Sequence, residues 1–466
     1  MSATPGTPVA QDVLARADRL QRGLGERFRD RMVETLYSEA ERIAHRSVKA
    51  TGSRKYDLDQ RIDRIVTSPV LGLPLMLLML GAVLWVTITG ANVPSALLAK
   101  WLFALEDAAS ALFTQWGVPW WITGFVWHGV YRGLAWVVSV MLPPMMIFFP
   151  MFTILEDLGY LPRVAFNLDW LFKRAGAHGK QALTMAMGFG CNAAGVVATR
   201  IIDSPRERLI AILTNNFVPC NGRWPTLIML ATLFVAAAFP PLFASFAAAG
   251  AVVAVTLIGV GFTLAASWVL SRTMLKGEAS AFTLELPPYR RPNVTRILYT
   301  SVIDRTIFVL WRAVLMAAPC GGLAWILGNI HAGGNSLMGH AAGFLDGPGR
   351  LIGLDGVILL AYVIAIPANE IVVPTIIMAY LSTGMMTEID SLSELRSLLV
   401  DQHGWTLLTA VCLMLFSLLH NPCSTTIMTI WKETRSAKWT TVGAIMPLAI
   451  AFIVCFVVAS FVRLVS

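Results

Sequence analysis

Cys191 is the first residue of this sequence whose type and surroundings indicate metal chemistry. It lies in the run Gly-Phe-Gly-Cys-Asn, residues 188–192. Because glycines loosen the backbone, the thiol, the side-chain oxygen of Asn192 and free carbonyl oxygens could replace part of the water shell of a borderline-soft divalent cation. The alternative is a small buried cysteine at a close helix contact, where glycine and cysteine are both common.

Two Pro-Cys pairs offer similar donors elsewhere in the chain. Cys220 follows a proline directly, and Cys423 ends the run Asn421-Pro422-Cys423. Proline leaves a carbonyl one turn earlier without its amide partner, so this oxygen and the neighbouring sulfur could face one cavity. Sulfur ligands favour copper, zinc and iron over magnesium or calcium. The alternative is a proline kink beside a packing residue. The two pairs favour a shared cavity, because they lie at matching positions of an internal repeat that is described below.

Glu370 is an acidic residue inside the apolar stretch 354–380, where Asp355 lies only at the edge. A carboxylate at membrane depth is costly, and such a residue is a functional-site hypothesis by default. It could bind a cation directly or carry a proton. The alternative is a structural carboxylate bonded to a helix end or to an arginine. His420 is a weaker candidate and is predicted to be an interfacial or packing residue.

The composition predicts that these residues lie in a membrane. Hydrophobic residues make up 56% of the 466 residues and charged residues 14%, whereas soluble domains carry roughly 25% charged residues. This argues against a water-soluble enzyme and against disorder. The net charge of +8 is better explained by basic cytoplasmic loops than by a nucleic-acid partner. Six cysteines in apolar sequence are too few for a disulfide scaffold.

Apolar segments of spanning length predict an all-α polytopic membrane protein. The predicted spans are residues 69–90, 131–155, 207–236, 242–270, 300–329, 404–430 and 441–463. Two further stretches, 181–199 and 354–380, carry glycines or prolines and are predicted to be broken helices that either re-enter or cross the membrane. Residues 95–115 contain three charges and are predicted to lie along the interface.

The distribution of Lys and Arg predicts the orientation. If the N-terminus is cytoplasmic and both broken stretches re-enter, the cytoplasmic segments hold 27 Lys and Arg and the external segments 4, as the positive-inside rule requires. The cytoplasmic segments are then 1–68, 157–206, 271–304 and 431–440, and the external ones are 91–129, 237–241, 330–402 and the end of the chain from 463. Full crossing would place basic residues of 200–208 outside, which is less favourable.

An inverted repeat follows from this orientation. Each unit has a span, a broken stretch and a second span with a Pro-Cys pair, and the two units begin from opposite sides. Inverted repeats with broken helices place a transport site near the middle of the membrane; chance pairing of segments is the alternative. The predicted regions are a cytoplasmic amphipathic segment (1–68), a first span with an external interfacial helix (69–130), a first repeat (131–270), a cytoplasmic loop (271–299) and a second repeat (300–466).

Several short runs of the sequence match one known family. The most specific are residues 188–192 and Leu155-Glu156-Asp157-Leu158-Gly159-Tyr160 with the following Arg163 and Ala165-Phe166; further matches are 62–65, 69–74, 198–200, 206–209, 370–373 and Pro422-Cys423. Over roughly residues 33–466 the chain resembles the membrane domain of the ferrous iron transport protein B family. The resemblance implies two inverted Gate-type (nucleoside-recognition-like) repeats with broken or re-entrant helices.

The resemblance also implies a function. The family imports Fe(II) across the bacterial cytoplasmic (inner) membrane, so Fe(II) is expected as the transported ion, with no permanently bound cofactor. Cys191, Cys220 and Cys423 would line the iron path, with Glu370 and Asn192 nearby. The sequence contains no Walker-type, GxSxG, HExxH or CxxC motif, so a transporter is predicted and not an enzyme.

The expected partners are the lipid bilayer, a separately encoded GTPase or a small accessory protein, and further copies of the chain in a homo-oligomer. The family's N-terminal GTPase domain has no counterpart in this sequence. Asn369 stands where the family often has Lys, and Pro219 where it usually has Ser. These departures leave two alternatives: a Gate-fold transporter of another divalent metal or a nucleoside-like solute, and a regulatory membrane protein that does not transport.

Overall fold

The computed structural model describes residues 28–47, 54–68, 70–277, 289–387 and 391–465, together with residues 12, 16 and 389. Among these residues, six helices are long and apolar enough to cross a membrane, and a seventh span results if one sharply bent helix pair is counted as a span. The prediction of an all-α polytopic membrane protein is confirmed.

The first half of the chain begins with two helices in polar sequence and continues with apolar ones. The helices are α1 (Phe28–Ser47), α2 (Arg54–Val66), α3 (Gly72–Gln115), α4 (Trp120–Asp157, π-helical over Gly124–Tyr131), α5 (Tyr160–Arg174), α6 (Gln181–Gly190), α7 (Asn192–Ala198), α8 (Pro205–Thr214), α9 (Trp224–Leu230) and α10 (Pro241–Arg272). Short 3₁₀ turns follow α7 and α8. Residues 48–53, between α1 and α2, lie outside the described residues.

The second half contains nine α-helices and one small hairpin within the described residues, with π-helical turns at Thr300–Ile307 and Ser397–Gln402. The helices are α11 (Val294–Tyr299), α12 (Phe308–Asn329), α13 (Leu337–Leu351), α14 (Gly356–Ile364), α15 (Val372–Leu381), α16 (Leu392–Arg396), α17 (Leu407–Leu419), α18 (Ser424–Thr434) and α19 (Ala437–Val465). Strands β1 (His331–Ala332) and β2 (Asn335–Ser336) pair antiparallel. Residues 278–288 of the predicted cytoplasmic loop 271–299 lie outside the described residues.

Helix α3 differs from the predicted span followed by a separate interfacial helix. Residues 72–115 form one helix that includes Pro94, because a proline removes only one backbone donor and the flanking sequence has strong helix formers. At about 1.5 Å per residue this helix is about 66 Å long. The hydrocarbon core is only about 30 Å thick. Part of α3 must therefore lie outside the hydrocarbon.

The predicted continuous span 207–236 is interrupted. Helix α8 ends in a 3₁₀ turn at Asn215–Phe217, and Val218 has the extended backbone conformation (φ −93°, ψ 138°). A residue before proline is pushed out of the helical region, and Pro219 has no N–H for a helical hydrogen bond. Helix α9 begins only at Trp224. Hydropathy missed this interruption because it averages over the whole segment.

Both stretches predicted to be broken helices are confirmed as broken. The first breaks at Cys191, which has an extended backbone (φ −155°, ψ 123°) between α6 and α7. The second breaks at residues 365–368, after which a 3₁₀ turn at Asn369–Ile371 leads into α15. Each repeat thus contains one long helix, α4 or α12, and two interrupted ones that follow it in the chain.

The long first helices of the two repeats cross at glycines. A side-chain carbon added at Gly321 of α12 would collide with the carbonyl oxygen of Gly129, and one added at Gly133 would meet Gly321 at 2.9 Å. Glycine permits this close backbone approach because it has no Cβ. At this crossing α4 packs directly against α12. The interrupted helices of the two repeats lie next to this pair.

A buried cluster attaches α2 to α5. Arg163 is 1% exposed and donates from Nε and Nη2 to the two oxygens of Asp63, at 3.0 and 3.2 Å. Tyr289 donates its hydroxyl to the same carboxylate at 2.9 Å. Burial and the adjacent Asp63 raise the pKa of Tyr289 to about 12, which keeps its phenol a donor. The cluster joins three segments that are predicted to be cytoplasmic.

Candidate functional site

Four helix interruptions meet inside the protein. They lie between α6 and α7, between α8 and α9, between α14 and α15, and between α17 and α18. Non-helical backbone at membrane depth is tolerated only where protein or a water-filled cavity satisfies its polar groups. Each interruption carries at least one residue that the sequence singled out: Cys191 and Asn192, Cys220, Glu370, and Asn421 with Cys423.

Equivalent backbone hydrogen bonds join the interruptions within each repeat. In the first repeat, the N–H of Asn221 donates to the carbonyl of Gly190 at 3.3 Å. In the second, the N–H of Ser424 donates to the carbonyl of Ile366 at 2.8 Å. Each donor is the residue directly after the cysteine of a Pro-Cys pair. The two pairs therefore occupy matching positions in the two repeats.

Arg223 joins the two repeats, and sequence reasoning missed it. This residue is 1% exposed. Its Nη1 donates at 2.8 Å both to the carbonyl of Asn216, at the end of α8, and to the carbonyl of Leu418, near the end of α17. Its Nη2 donates to Asn216 Oδ1 at 3.1 Å. A charged residue within a predicted span was the available signal.

The thiols of the three candidate cysteines lie close enough to interact electrostatically. Cys191 is within range of Cys220 and Cys423, and the last two are within range of each other. Cys191 is buried, whereas Cys220 and Cys423 are partly accessible. Cys191 and Cys423 immediately precede α7 and α18. The tertiary structure thus brings together three thiols from three different interruptions.

Glu370 reaches from the second repeat to the first. Its carboxylate lies against the Cα of Gly222, since a side-chain carbon added at Gly222 would collide with Glu370 Oε1. It also lies within electrostatic range of Cys220 and Cys423. A carboxylate and two partly accessible thiols therefore face one region of the protein interior.

The side chains of Asn192 and Asn421 make different hydrogen bonds near this region. Asn192 is 3% exposed, its Nδ2 donates to Asn216 Oδ1 at 3.3 Å, and its Oδ1 has no partner within the described residues. Asn192 therefore belongs to a buried polar network with Asn216 and Arg223. The side chain of Asn421 donates to the carbonyl of the adjacent Pro422 at 3.4 Å. Its place near the site comes from its position two residues before Cys423.

His420 is held in a structural position. It is 2% exposed, and its Nε2 lies 3.2 Å from Asn369 Oδ1. Its Nδ1 lies 2.9 Å from the carbonyl of Ser417. Because both ring nitrogens face protein oxygens, His420 links α17 to the interruption that carries Glu370, and packing is its evident role.

The donors in this region are the thiols of Cys220 and Cys423 and the carboxylate of Glu370. In the part of the chain that the structure describes, no three His, Cys, Asp or Glu side chains are grouped so that they could hold one metal ion.

Comparison with known families matches most of the helical region. The Gate (nucleoside recognition) family model matches residues 138–234 and 310–437, which contain the four interruptions. The model for the C terminus of ferrous iron transport protein B matches residues 252–304. No solved structure matches the chain.

Similar curated proteins carry names from the same family. The Fe(2+) transporter FeoB of Staphylococcus aureus (strain MSSA476) is 27% identical over 440 residues, which cover 93% of this chain and 62% of that protein. FeoB of Leptospira biflexa is 25% identical over 86% of this chain and 59% of its own length. A fusion of Fe(2+) transport protein A and FeoB in Porphyromonas gingivalis is 26% identical over 86% of this chain and 51% of the fusion. The chain thus spans less than two thirds of these relatives.

Proposed function

We propose that this chain, which belongs to the ferrous iron transport protein B family, forms a path that carries Fe(II) across the bacterial cytoplasmic membrane. The observation that carries the proposal is the contact of the Glu370 carboxylate with Gly222 between the two repeats. Cys220 and Cys423 lie within electrostatic range of this carboxylate, and Cys191 lies within range of both thiols. Thiol and carboxylate donors together suit a borderline-soft divalent ion.

The surrounding groups support a path through which an ion can pass. Glu370 supplies a negative charge that attracts a divalent cation, and the cysteines supply polarisable donors. Arg223 holds the ends of α8 and α17 together through its carbonyl contacts. Its fixed positive charge offsets part of the negative charge at the site, so that an ion is not trapped.

Uptake into proteoliposomes tests the proposal directly. Liposomes that contain the purified chain should accumulate Fe(II) under anaerobic conditions, with weaker uptake of Mn(II), whose affinity for nitrogen and sulfur ligands is lower. Zn(II) should compete, because it accepts the same ligands. Protein-free liposomes are the control. Equal rates for Fe(II), Mn(II) and protein-free leakage would contradict the proposal.

We propose that a GTPase and a small accessory protein act with this chain. The fusion protein of Porphyromonas gingivalis supports the accessory partner by its name alone. The cluster of Asp63, Arg163 and Tyr289 gives a partner on the cytoplasmic side a rigid connection from α2 to α5. Through α5, motion of α2 would reach the interrupted helices of the first repeat.

The proposed orientation places the N-terminus in the cytoplasm. Segments predicted to share a side contact one another. Asp63, Arg163 and Tyr289 meet on one side. On the other side, Arg132, at the start of the predicted span 131–155, donates to Met385 of the external segment 330–402. In intact cells, a membrane-impermeant thiol reagent should therefore label Ser393→Cys and spare Thr273→Cys, above the background of the parent protein. Labelling of Thr273→Cys without permeabilisation would refute this orientation.

A further inference from the structure

A second cluster of polar side chains lies at the other end of α4 from the four interruptions. Glu106 of α3 is 1% exposed. Its Oε1 accepts hydrogen bonds from His128 Nδ1 at 2.7 Å and from Arg132 Nη1 at 3.3 Å. His128 belongs to the π-helical stretch Gly124–Tyr131, and Arg132 follows it. Such wide helical turns frequently occur at functional sites.

Two buried polar atoms of this cluster, Glu106 Oε2 and Arg132 Nε, have no hydrogen-bond partner within the described residues. The same holds for Trp127 Nε1 and Thr123 Oγ1 in the preceding turns of α4. Buried polar atoms are nearly always paired, and an exception calls for an explanation such as a water molecule or an ion. The unpaired oxygen of an almost fully buried carboxylate indicates that a further group binds beside Glu106.

The imidazole of His128 has the arrangement of a metal ligand. With its Nδ1–H donated to Glu106, Nε2 keeps its lone pair, and the side chain remains 31% exposed. Metal-binding histidines usually donate their other N–H to a carboxylate or carbonyl, which orients the ring and makes the ligating nitrogen more basic. Met385 adds a thioether, whose Sδ accepts from Arg132 at 2.9 Å. Imidazole and thioether favour transition metals over magnesium and calcium.

The cluster is well separated from the candidate path. Along α3, Glu106 is about 51 Å from Gly72, which exceeds the thickness of about 30 Å of the hydrocarbon core. Along α4, Arg132 is about 24 Å from Phe148. The ring of Phe148 lies against Gly190, next to Cys191. The cluster therefore lies about 24 Å along α4 from the first interruption, on the external side in the proposed orientation.

We propose that His128, oriented by Glu106 and assisted by the Met385 thioether, captures a divalent transition-metal ion at the outer face before the ion enters the path. The identity of this ion as Fe(II) rests on the proposed function. Arg132 offsets the charge of Glu106, so the site binds weakly and can release the ion inward.

Metal binding and uptake test this site separately. Co(II), whose absorption spectrum reports nitrogen and sulfur ligation, serves as the probe with the purified chain in detergent. His128→Gln should lose one bound Co(II) and should raise the Fe(II) concentration for half-maximal uptake by about tenfold. Maximal uptake should be unchanged, as expected when only initial binding is lost. Met385→Leu, which removes sulfur but keeps the volume, should give a smaller rise.

His340→Gln is the matched control, because His340 is an exposed histidine whose Nε2 lies 2.7 Å from the Ala332 carbonyl. It should change neither measurement. Unchanged Co(II) binding in both His128→Gln and Met385→Leu would overturn the site. So would a lowered melting temperature in His128→Gln with unaltered Co(II) binding, the result of a purely structural pair. Loss of bound Co(II) in a protein that takes up no Fe(II) would reject the proposed function and support the site.

Discussion

Glu370→Gln should remove most Fe(II) uptake while the protein still folds. Glutamine keeps the shape and one acceptor oxygen of the carboxylate but loses its charge. Two unit charges about 4 Å apart interact by about 4 kcal/mol at an effective dielectric constant of about 20. Because about 1.4 kcal/mol changes affinity tenfold, losing a third of this attraction already lowers occupancy strongly. Uptake should fall by about tenfold or more, and Glu370→Asp should be intermediate because its charge remains.

The position of Glu370 provides a second variant that leaves its charge intact. Because the carboxylate lies against Gly222, Gly222→Ala should displace it and lower uptake in the same direction. Glu394→Gln, which removes a carboxylate at the exposed start of α16, is the matched control and should transport normally. Uptake and melting temperature are measured on the same preparations. Normal uptake by Glu370→Gln with a lowered melting temperature would show that the carboxylate is only structural.

Cys191→Ser, Cys220→Ser and Cys423→Ser should each lower Fe(II) uptake. Replacing sulfur with oxygen weakens a ligand for a borderline-soft ion and hardly alters side-chain volume. Since even residues that only support metal ligands cost roughly 10–100-fold when mutated, each variant should lose about tenfold at low Fe(II). The larger losses are expected for Cys220 and Cys423, because they are partly accessible while Cys191 is buried.

Cys455→Ser is the control for this series. Cys455 is fully buried in α19, and its thiol donates to the Cys412 carbonyl at 3.4 Å, a bond that a serine hydroxyl can also make. It should transport like the parent chain. Parent-like uptake in all four variants would remove the cysteines from the path, and an equal loss in all four would indicate a general effect on folding.

The sequence by itself determined the class of the protein and part of its internal plan. Apolar segments must hide their backbone in helices when they enter a bilayer, so composition predicts a polytopic helical protein. Proline and glycine act locally on the backbone, so the interruptions at Cys191 and near Glu370 could be predicted. Comparison of two segments of the chain predicted that Cys220 and Cys423 occupy matching positions in the two repeats. The backbone hydrogen bonds of the next residues, Asn221 and Ser424, agree with this prediction.

Only the tertiary structure decided which of these residues meet. Hydropathy could not separate the continuous α3 from a span with an interfacial helix, nor detect the interruption between α8 and α9, because it averages over length. Arg223 donates to the carbonyl of Asn216, in the turn that follows α8, and to the carbonyl of Leu418 in α17. Leu418 is 195 residues away from Arg223 in the sequence. The role of Arg223 depends on packing between repeats, as does the contact of Glu370 with Gly222. Local patterns carry no information about such contacts, since these form only when the two repeats pack together.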